Sequence, residues 1–508
     1  MDSLPNGSRS VWMTTALPQF PAMQEKLETE ICVIGGGIAG LTTAYLLSRE
    51  DKTVVLIEAG KIGEGETGRT TAHFFPPDDR YFEIEEDFGT DKAQLVAESF
   101  QQATALVESI VGKEKIDCEF ERLNGYLFSL TLDGYANLDK EFDAARRAGV
   151  EIHKRERVPG LSFNTGPCLE FSNQAQFHPL KYLNGLIEAF QRNGGNIYTG
   201  TRALDISRHD KILTVNTESG TITAQAIVVA TNTPFNDRVV MHTKQAAYRT
   251  YVLGVRVRKG SVPRILLWDN GDPYYYVRLT SDGKSEHEIL VVGGADHKVG
   301  QDEHPTHRYD ELEKWTRQHY PMAESVDFKW SGQIMEPADG VGYMGRNPMD
   351  DKDVYVITGD SGNGMTHCTA GAILVTDLIM GRNNSWLDLY DPARKAIHGM
   401  SEFLKELGNV VVQYGDWVKG GDVDSSEQIS PGEGAILRQG GKRIAIYRDD
   451  EGKIHSLSAA CTHLGCVVSW NAAEKSWDCP CHGSRFSVNG QVLHGPAAKP
   501  LEPIQLDQ

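Results

Sequence analysis

Glu30-Ile31-Cys32-Val33-Ile34-Gly35-Gly36-Gly37-Ile38-Ala39-Gly40 is the stretch from which the fold is read. An apolar run of strand length meets a glycine cluster, and a helical pattern follows from Ala39 to about Arg49. Thr53-Val54-Val55-Leu56-Ile57-Glu58 is then a second, β-branched strand. Strand, glycine turn, helix and strand form the front of a βαβ unit with a parallel sheet. Within it, Gly35-x-Gly37-x-x-Gly40 has the spacing of a dinucleotide turn. The first glycine permits the tight turn, the second admits a pyrophosphate to the backbone, and the third lets helix and strand pack closely. The helix N-terminus faces the phosphates. Glu58 closes the second strand about 20 residues on, where a carboxylate can accept hydrogen bonds from ribose hydroxyls.

Working outward, Gln94–Val111 and His178–Asn193 read as helices, and Ala226–Ala230 as a buried strand after hairpin-like segments around Ile212–Thr223. From Arg249 to Gly294 the pattern changes to strands: Tyr251–Val257, Ile265–Trp268, Tyr274–Leu279 and Ile289–Val292. This is an antiparallel sheet inserted into the first domain. Val354–Ile357 is another strand, followed by glycines, a helix from about Thr369 to Met380 and a last one near Pro392 to Glu406. Asp416–Glu433 has the composition of a domain boundary. Short strands such as Ala445-Ile446-Tyr447 lie beyond it, so the C-terminal stretch is expected to be a small all-β domain.

The whole chain of 508 residues is long enough for about three to four domain-sized units. Lys+Arg 51 against Asp+Glu 70 gives a formal charge of −19, which disfavours nucleic-acid phosphates and anionic membranes as partners. No apolar run approaches the length of a membrane span, and Met1–Gln24 shows no secretory signal, so a soluble, cytoplasmic protein is expected.

Three further segments bear on which dinucleotide is bound. Gly63–His73 follows the acid at once, Ala230-Thr231-Asn232 closes a later strand, and Gly359-Asp360-Ser361-Gly362-Asn363-Gly364-Met365-Thr366 separates a strand from a helix. An N-terminal nucleotide turn with a distant Gly-Asp turn is an FAD layout. With Phe177-His178-Pro179, Gly194-Gly195-Asn196-Ile197, Trp330-Ser331-Gly332, Pro337–Gly340 and Gly345-Arg346, residues 26 to 400 resemble the glycine/D-amino-acid oxidase family of flavoproteins. The resemblance implies an α/β FAD-binding, Rossmann-like domain with an inserted antiparallel β substrate domain. It also implies oxidation of a C–N bond with the flavin as electron acceptor. It assigns FAD contacts to Gly35, Gly37, Ile38, Ala39, Gly40, Glu58, Thr67, Gly68, Thr70, Thr71, Gly359, Asp360, Gly362, Gly364, Met365 and Thr366. Some relatives attach the flavin through a histidine. His73 is offset by two from that place, so non-covalent FAD is expected.

Candidate catalytic residues are Arg249, Tyr251, Arg346 and His73. Either arginine could hold a substrate carboxylate bidentately or could sit in a surface or interdomain salt bridge. His73 could face the flavin or be a hydrogen-bonded structural histidine. In Tyr274-Tyr275-Tyr276 only the outer two share a strand face, a pattern commoner in sheet packing than in a substrate cage.

Eight cysteines fall into two groups. Cys32, Cys118, Cys168 and Cys368 are scattered, as buried reduced thiols are. Cys461-Thr462-His463-Leu464-Gly465-Cys466 and Cys479-Pro480-Cys481-His482-Gly483-Ser484 are interleaved with histidines, and fifteen residues separate His463 from Cys479. Cys-x-His with Cys-x-x-His is identified as a Rieske [2Fe–2S] set, with Cys461 and Cys479 on one iron and His463 and His482 on the other. Zinc also takes two cysteines and two histidines, but zinc fingers place the histidines as a late pair, whereas each loop here gives one of each. Resemblance to Rieske proteins of the cytochrome bc type covers about residues 412 to 508. It implies a disulfide between Cys466 and Cys481, a cluster-bonding role for Ser484 and a shielding loop at Gly495-Pro496-Ala497.

The chain therefore divides into 1–410, with a substrate part at about 244–335, and a Rieske domain at 411–508. The function expected is FAD-dependent oxidation of an amine or amino acid, the electrons leaving singly through the cluster to a one-electron redox partner. Two other readings stay open: a ferredoxin-like donor feeds the cluster while the flavin reduces a substrate or activates O₂, or the Rieske domain is a docking or redox-sensing module. No second strand, Gly-x-Gly-x-x-Gly and helix succession for a pyridine nucleotide is evident.

Overall fold

The structure, a computed structural model, describes residues 8–77, 80–210, 212–236, 241–283, 286–302, 305–348, 350–395 and 421–506. At its centre Leu27–Ile34 pairs in parallel with Val54–Ile57 on one side and Thr221–Val229 on the other. Asn196–Tyr198 and Val354–Thr358 extend the sheet in parallel at either end, and Tyr343–Arg346 closes one edge antiparallel. Ile227, Val228 and Val229 are buried, as the inner strands of a sheet covered on both faces must be. The helix after the glycine turn, Ile38–Ser48, is apolar almost all round and buried at every position but Leu46. It packs on the helices Gly364–Ile379 and Pro179–Arg192.

The second large sheet has nine strands. Val326–Pro337, Gln245–Arg258, His287–Lys298, Tyr275–Ser281 and Leu266–Asp269 come from the expected segment. Glu121–Phe128, Cys168–Gln176, His73–Phe74 and Ile152–Arg155 come from far upstream, so the sheet is wider than residues 244–335. The junction between the two sets, Leu266–Asp269 on Glu121–Phe128, is parallel. A parallel neighbour needs a long crossover, which leaves no local signature in the sequence.

The Gly364–Ile379 helix begins five residues before the expected Thr369, at the end of the Gly-Asp turn. Its first turn, Gly-Met-Thr-His, has weak helix propensity and is held by packing instead. Pro392–Lys395 form a turn, and the rest of the helix expected near Pro392–Glu406 lies outside the described residues, as does the 410/411 boundary. Beyond Gly421 a three-stranded sheet (Glu433–Gln439, Lys442–Arg448, Ile454–Ser458) and a four-stranded one (Ser469–Asn471, Ser476–Asp478, Arg485–Ser487, Val492–His494) enclose a small core around Trp477 and Phe486. Among the described residues no helix is long and apolar enough to cross a membrane.

Candidate active site and metal centre

The glycine turn is built by steric exclusion. Gly35 has φ +115°, and a Cβ there would lie 2.3 Å from the carbonyl oxygen of Ala230. A Cβ on Gly40 would stand 2.0 Å from the carbonyl oxygen of Gly35, so helix and strand meet backbone to backbone. Gly37 differs: its Cβ would meet only Thr67 Oγ1, at 3.0 Å. Thr67 Oγ1 accepts the Ile38 N–H at 3.0 Å and so ties the next loop to the helix start. Glu58 accepts the N–H groups of Gly36 and Gly60, each at 2.7 Å. Burial raises its carboxyl, and those two N–H groups with nearby Arg202 oppose the rise.

These residues open onto a cavity of about 480 Å³. Gly35, Gly37, Ile38, Ala39, Glu58, Thr67, Thr70, Thr71, Asp360, Gly362, Gly364 and Met365 line it. Gly40, Gly68, Gly359 and Thr366 do not; Gly68 packs on Gly63 and Gly359 on Pro337. A glycine cradle that a Cβ would fill, the start of one helix and the Gly-Asp turn before another fit a dinucleotide.

Of the four catalytic candidates only His73 lines the cavity. Its Nδ1 lies 3.0 Å from Thr71 Oγ1, and burial, reinforced by Arg278, depresses it to about 3, so the ring is neutral. Arg249 is fully buried outside the cavity, donating to Ser331 Oγ at 2.5 Å. Tyr251 turns its hydroxyl to His297 Nε2 at 2.9 Å, in a separate core. Arg346 is exposed on an edge strand, bonded to the Lys352 carbonyl. The cavity wall instead carries Tyr274 and Tyr276, whose rings stack 5.9 Å apart, while Tyr275 turns away onto Trp315. Strand alternation could show that the pair shares a face but not which space the face borders.

Tyr274 donates to Asp296 Oδ2 at 2.7 Å. Burial pushes the Asp296 carboxyl up to about 6, and the tyrosine bond holds it back in part. The carboxyl of an unfolded chain titrates near about 3.9. The stabilisation tied to protonated Asp296 is therefore complete below about 4 and lost as pH rises through about 6. Denaturant midpoints across that range should fall with pH in the wild type relative to Asp296→Asn. A wild-type-minus-variant difference that stays flat contradicts the assignment.

At the other end of the chain, two loops meet. Cys461 N–H donates to the Cys466 carbonyl at 2.8 Å, and Cys479 N–H to the Ser484 carbonyl at 2.7 Å. Cys466 and Cys481 are joined by a disulfide, with Cα atoms 6.4 Å apart. Cys461 and Cys479 are both buried thiols outside any disulfide. The hydrogen bond from Cys479 holds the Cys461 thiol below its ordinary range. The His463 and His482 rings lie 5.1 Å apart. Cys479 Sγ is also within 4.8 Å of both disulfide sulfurs, but those are bonded to each other and do not ligate. Two thiols together and two imidazoles together fit a cluster with one iron of each kind. Ser484 Oγ accepts the Ala497 N–H at 3.0 Å, which ties the Gly495–Ala497 segment to the second loop.

The small domain is docked on the large one through side chains that the spacing of motifs did not reveal. His242, buried in the large domain, packs its ring on His463 at 4.6 Å and on His482 at 5.5 Å. Gln333 Nε2 donates to the Gly483 carbonyl, and Arg202 Nη2 to the Val492 carbonyl. His494 Nδ1 stands 3.1 Å from Glu66 Oε1. Glu474 accepts from Ser331 Oγ at 2.6 Å, with Arg485 at 3.5 Å and Arg69 at 3.9 Å. Burial raises the Glu474 carboxyl, but Arg249, Arg485 and Arg69 outweigh it, and the net shift is downward. Glu474, Arg485, His494 and Ala497 line the same cavity as the glycine turn.

Residues 30–378 match the family model of FAD dependent oxidoreductases (DAO), and residues 419–505 match that of the Rieske [2Fe-2S] domain. A Bacillus subtilis (strain 168) protein, YhfW, named for a Rieske 2Fe-2S cluster, is 34% identical over 506 residues, 98% of this chain and 97% of its own. The gamma-glutamylputrescine oxidoreductase of Escherichia coli (strain K12) is 25% identical over 383 residues, 71% of this chain and 86% of its own. Among solved structures, glycine oxidase from Geobacillus kaustophilus superposes with a TM-score of 0.61 at 19% identity, over 73% of this chain and 99% of that one. The chain belongs to the FAD-dependent oxidoreductase family typified by DAO and carries a C-terminal Rieske [2Fe-2S] domain.

Proposed function

We propose that this FAD-dependent oxidoreductase oxidises a C–N bond of an amine or amino acid and delivers the electrons one at a time to an external acceptor. FAD when bound takes up two electrons together, whereas a Rieske cluster holds one. The substrate gives up two electrons and two protons from H–C–N–H. The resulting C=N bond is opened by water to a carbonyl compound and an amine. Two equivalents of a one-electron acceptor balance each turnover. The observation that carries this reading is the shared wall: Glu474, Arg485 and His494 of the Rieske domain line the cavity that the Gly35–Gly40 turn opens onto. A docking or sensing module has no need of a buried ionic contact with that cavity.

Gly35, Gly37, Thr67, Glu58 and the Gly359–Thr366 turn would hold FAD, and Cys461, Cys479, His463 and His482 the cluster. The acceptor would be a one-electron redox protein or small molecule, and the setting cytoplasmic, consistent with the thiols of Cys32, Cys118, Cys168 and Cys368. Anaerobic addition of substrate should bleach the flavin band and raise the electron paramagnetic resonance signal of a reduced Rieske centre in the same sample. A bleached flavin beside a cluster that stays oxidised contradicts the relay.

A further inference from the structure

We infer that the substrate site selects an amine that enters as a cation and has no carboxylate on the carbon beside the nitrogen. The inference rests on the C–N oxidation reading above and narrows it. Five cavity-lining rings form one connected surface: Tyr274 stacks on Tyr276 at 5.9 Å, Tyr276 meets His73 at 5.8 Å, His73 meets Phe75 at 5.3 Å, and Phe75 stacks on Trp268 at 5.1 Å. The Tyr276 ring lies flat against the sheet because its cross-strand neighbour is Gly293, where a Cβ would stand 2.3 Å from the ring. Its hydroxyl is fixed 2.8 Å from Thr250 Oγ1. Aromatic faces carry negative potential and attract ammonium groups, most strongly where water is excluded. The hydroxyl of Tyr274 donates to the Asp296 carboxylate, which adds negative charge behind the same wall.

The charges needed to hold a carboxylate are committed elsewhere. Arg80 reaches the cavity with its Nη1 2.5 Å from Glu336 Oε1 and 2.8 Å from Ser361 Oγ. Arg69 and Arg485 are matched by Glu474 and Asp478 at the Rieske contact, and Arg202, which also lines the cavity, donates to the Val492 carbonyl and lies near Glu58. Arg249 and Arg346, either of which could have formed a clamp or a salt bridge, line no part of the cavity. The strand Val326–Pro337 offers it Gly332, Gln333 and Ile334, none of them cationic. Arg278, the buried cation beside His73, is turned onto the carbonyls of Thr71, Ala72 and Phe177 and does not line the cavity. A carboxylate brought among these rings would lose water and meet no guanidinium directly, a costly way to bury an ion.

The test uses the full-length chain loaded with FAD and cluster. Benzyltrimethylammonium and benzoate share a phenyl ring, differ in the sign of the group it carries, and cannot be dehydrogenated at a C–N bond. Their dissociation constants are read from the perturbed flavin absorption band. The ammonium is expected to bind about tenfold more tightly, and Tyr276→Leu to weaken it several-fold while leaving benzoate unchanged. Equal or tighter binding of benzoate overturns the inference, and this comparison in the wild type stands whether or not the variant folds. A second arm compares anaerobic flavin bleaching by phenethylamine against phenylalanine and by isobutylamine against valine. Faster bleaching by the amino acids overturns the inference and leaves C–N oxidation standing. Bleaching by neither class removes the C–N oxidation reading, while the binding arm still decides whether the ring surface selects cations.

Discussion

Glu474→Gln is expected to destabilise the protein by about 3 kcal/mol, read as a lower denaturant midpoint. The carboxylate lies among the buried guanidiniums of Arg69, Arg249 and Arg485, and a glutamine of the same shape removes only its charge. Three buried cations would then face Asp478 and Glu66 alone. Breaking a buried ion pair from one side typically costs about 3–5 kcal/mol, because the partner is left uncompensated. The 3.5 and 3.9 Å separations are loose for ion pairs, which places the effect at the low end of that range. Since Glu474 belongs to the small domain and Arg69 and Arg249 to the large one, unfolding should also split into two transitions as the domains uncouple. An exposed pair is the control. Asp139→Asn, which removes the surface partner of Lys154, should leave the midpoint where it was. A Glu474→Gln protein as stable as the wild type and unfolding in one step shows that this network does not hold the domains together.

Gly40→Ala is expected to abolish FAD retention. A Cβ 2.0 Å from the Gly35 carbonyl oxygen collides with backbone, and no side-chain rotation relieves it. The helix Ile38–Ser48 must move away from the strand that carries the nucleotide turn, an overpacking cost of about 1–3 kcal/mol. Gly37→Ala is the informative partner. Its Cβ meets only Thr67 Oγ1 at 3.0 Å, so the fold should survive, yet the methyl occupies the side on which a pyrophosphate approaches. Purified Gly40→Ala protein should carry less than about a tenth of the wild-type flavin and show a lowered midpoint. Gly37→Ala should keep its midpoint and weaken FAD by about tenfold or more. If both variants bind FAD as the wild type does, the glycine turn is not the nucleotide site.

The two predictions concern different kinds of information. The cradle around Gly35 and Gly40 was legible because its parts lie within a few residues of one another, and the tight turn leaves few alternatives. The cluster loops were legible for the same reason: a cysteine and a histidine two or three positions apart are held together by the chain itself. The Glu474 network was not legible. Arg69, Arg249, Ser331, Glu474 and Arg485 span more than four hundred positions, and no periodicity links them.

The sequence by itself determined that a parallel α/β unit binds a dinucleotide and that a small β domain follows with paired Cys and His loops. Each of those features is a local pattern enforced by backbone geometry over one turn or one loop. Only the tertiary structure decided where the arginines go, that the tyrosines of the strand around residue 275 face the cavity, that His242 covers His463, and that the Rieske domain walls the cavity beside the glycine turn. Those outcomes are set by which distant surfaces pack together. Burial then dictates the rest, since a charge removed from water must find its opposite wherever along the chain that opposite stands.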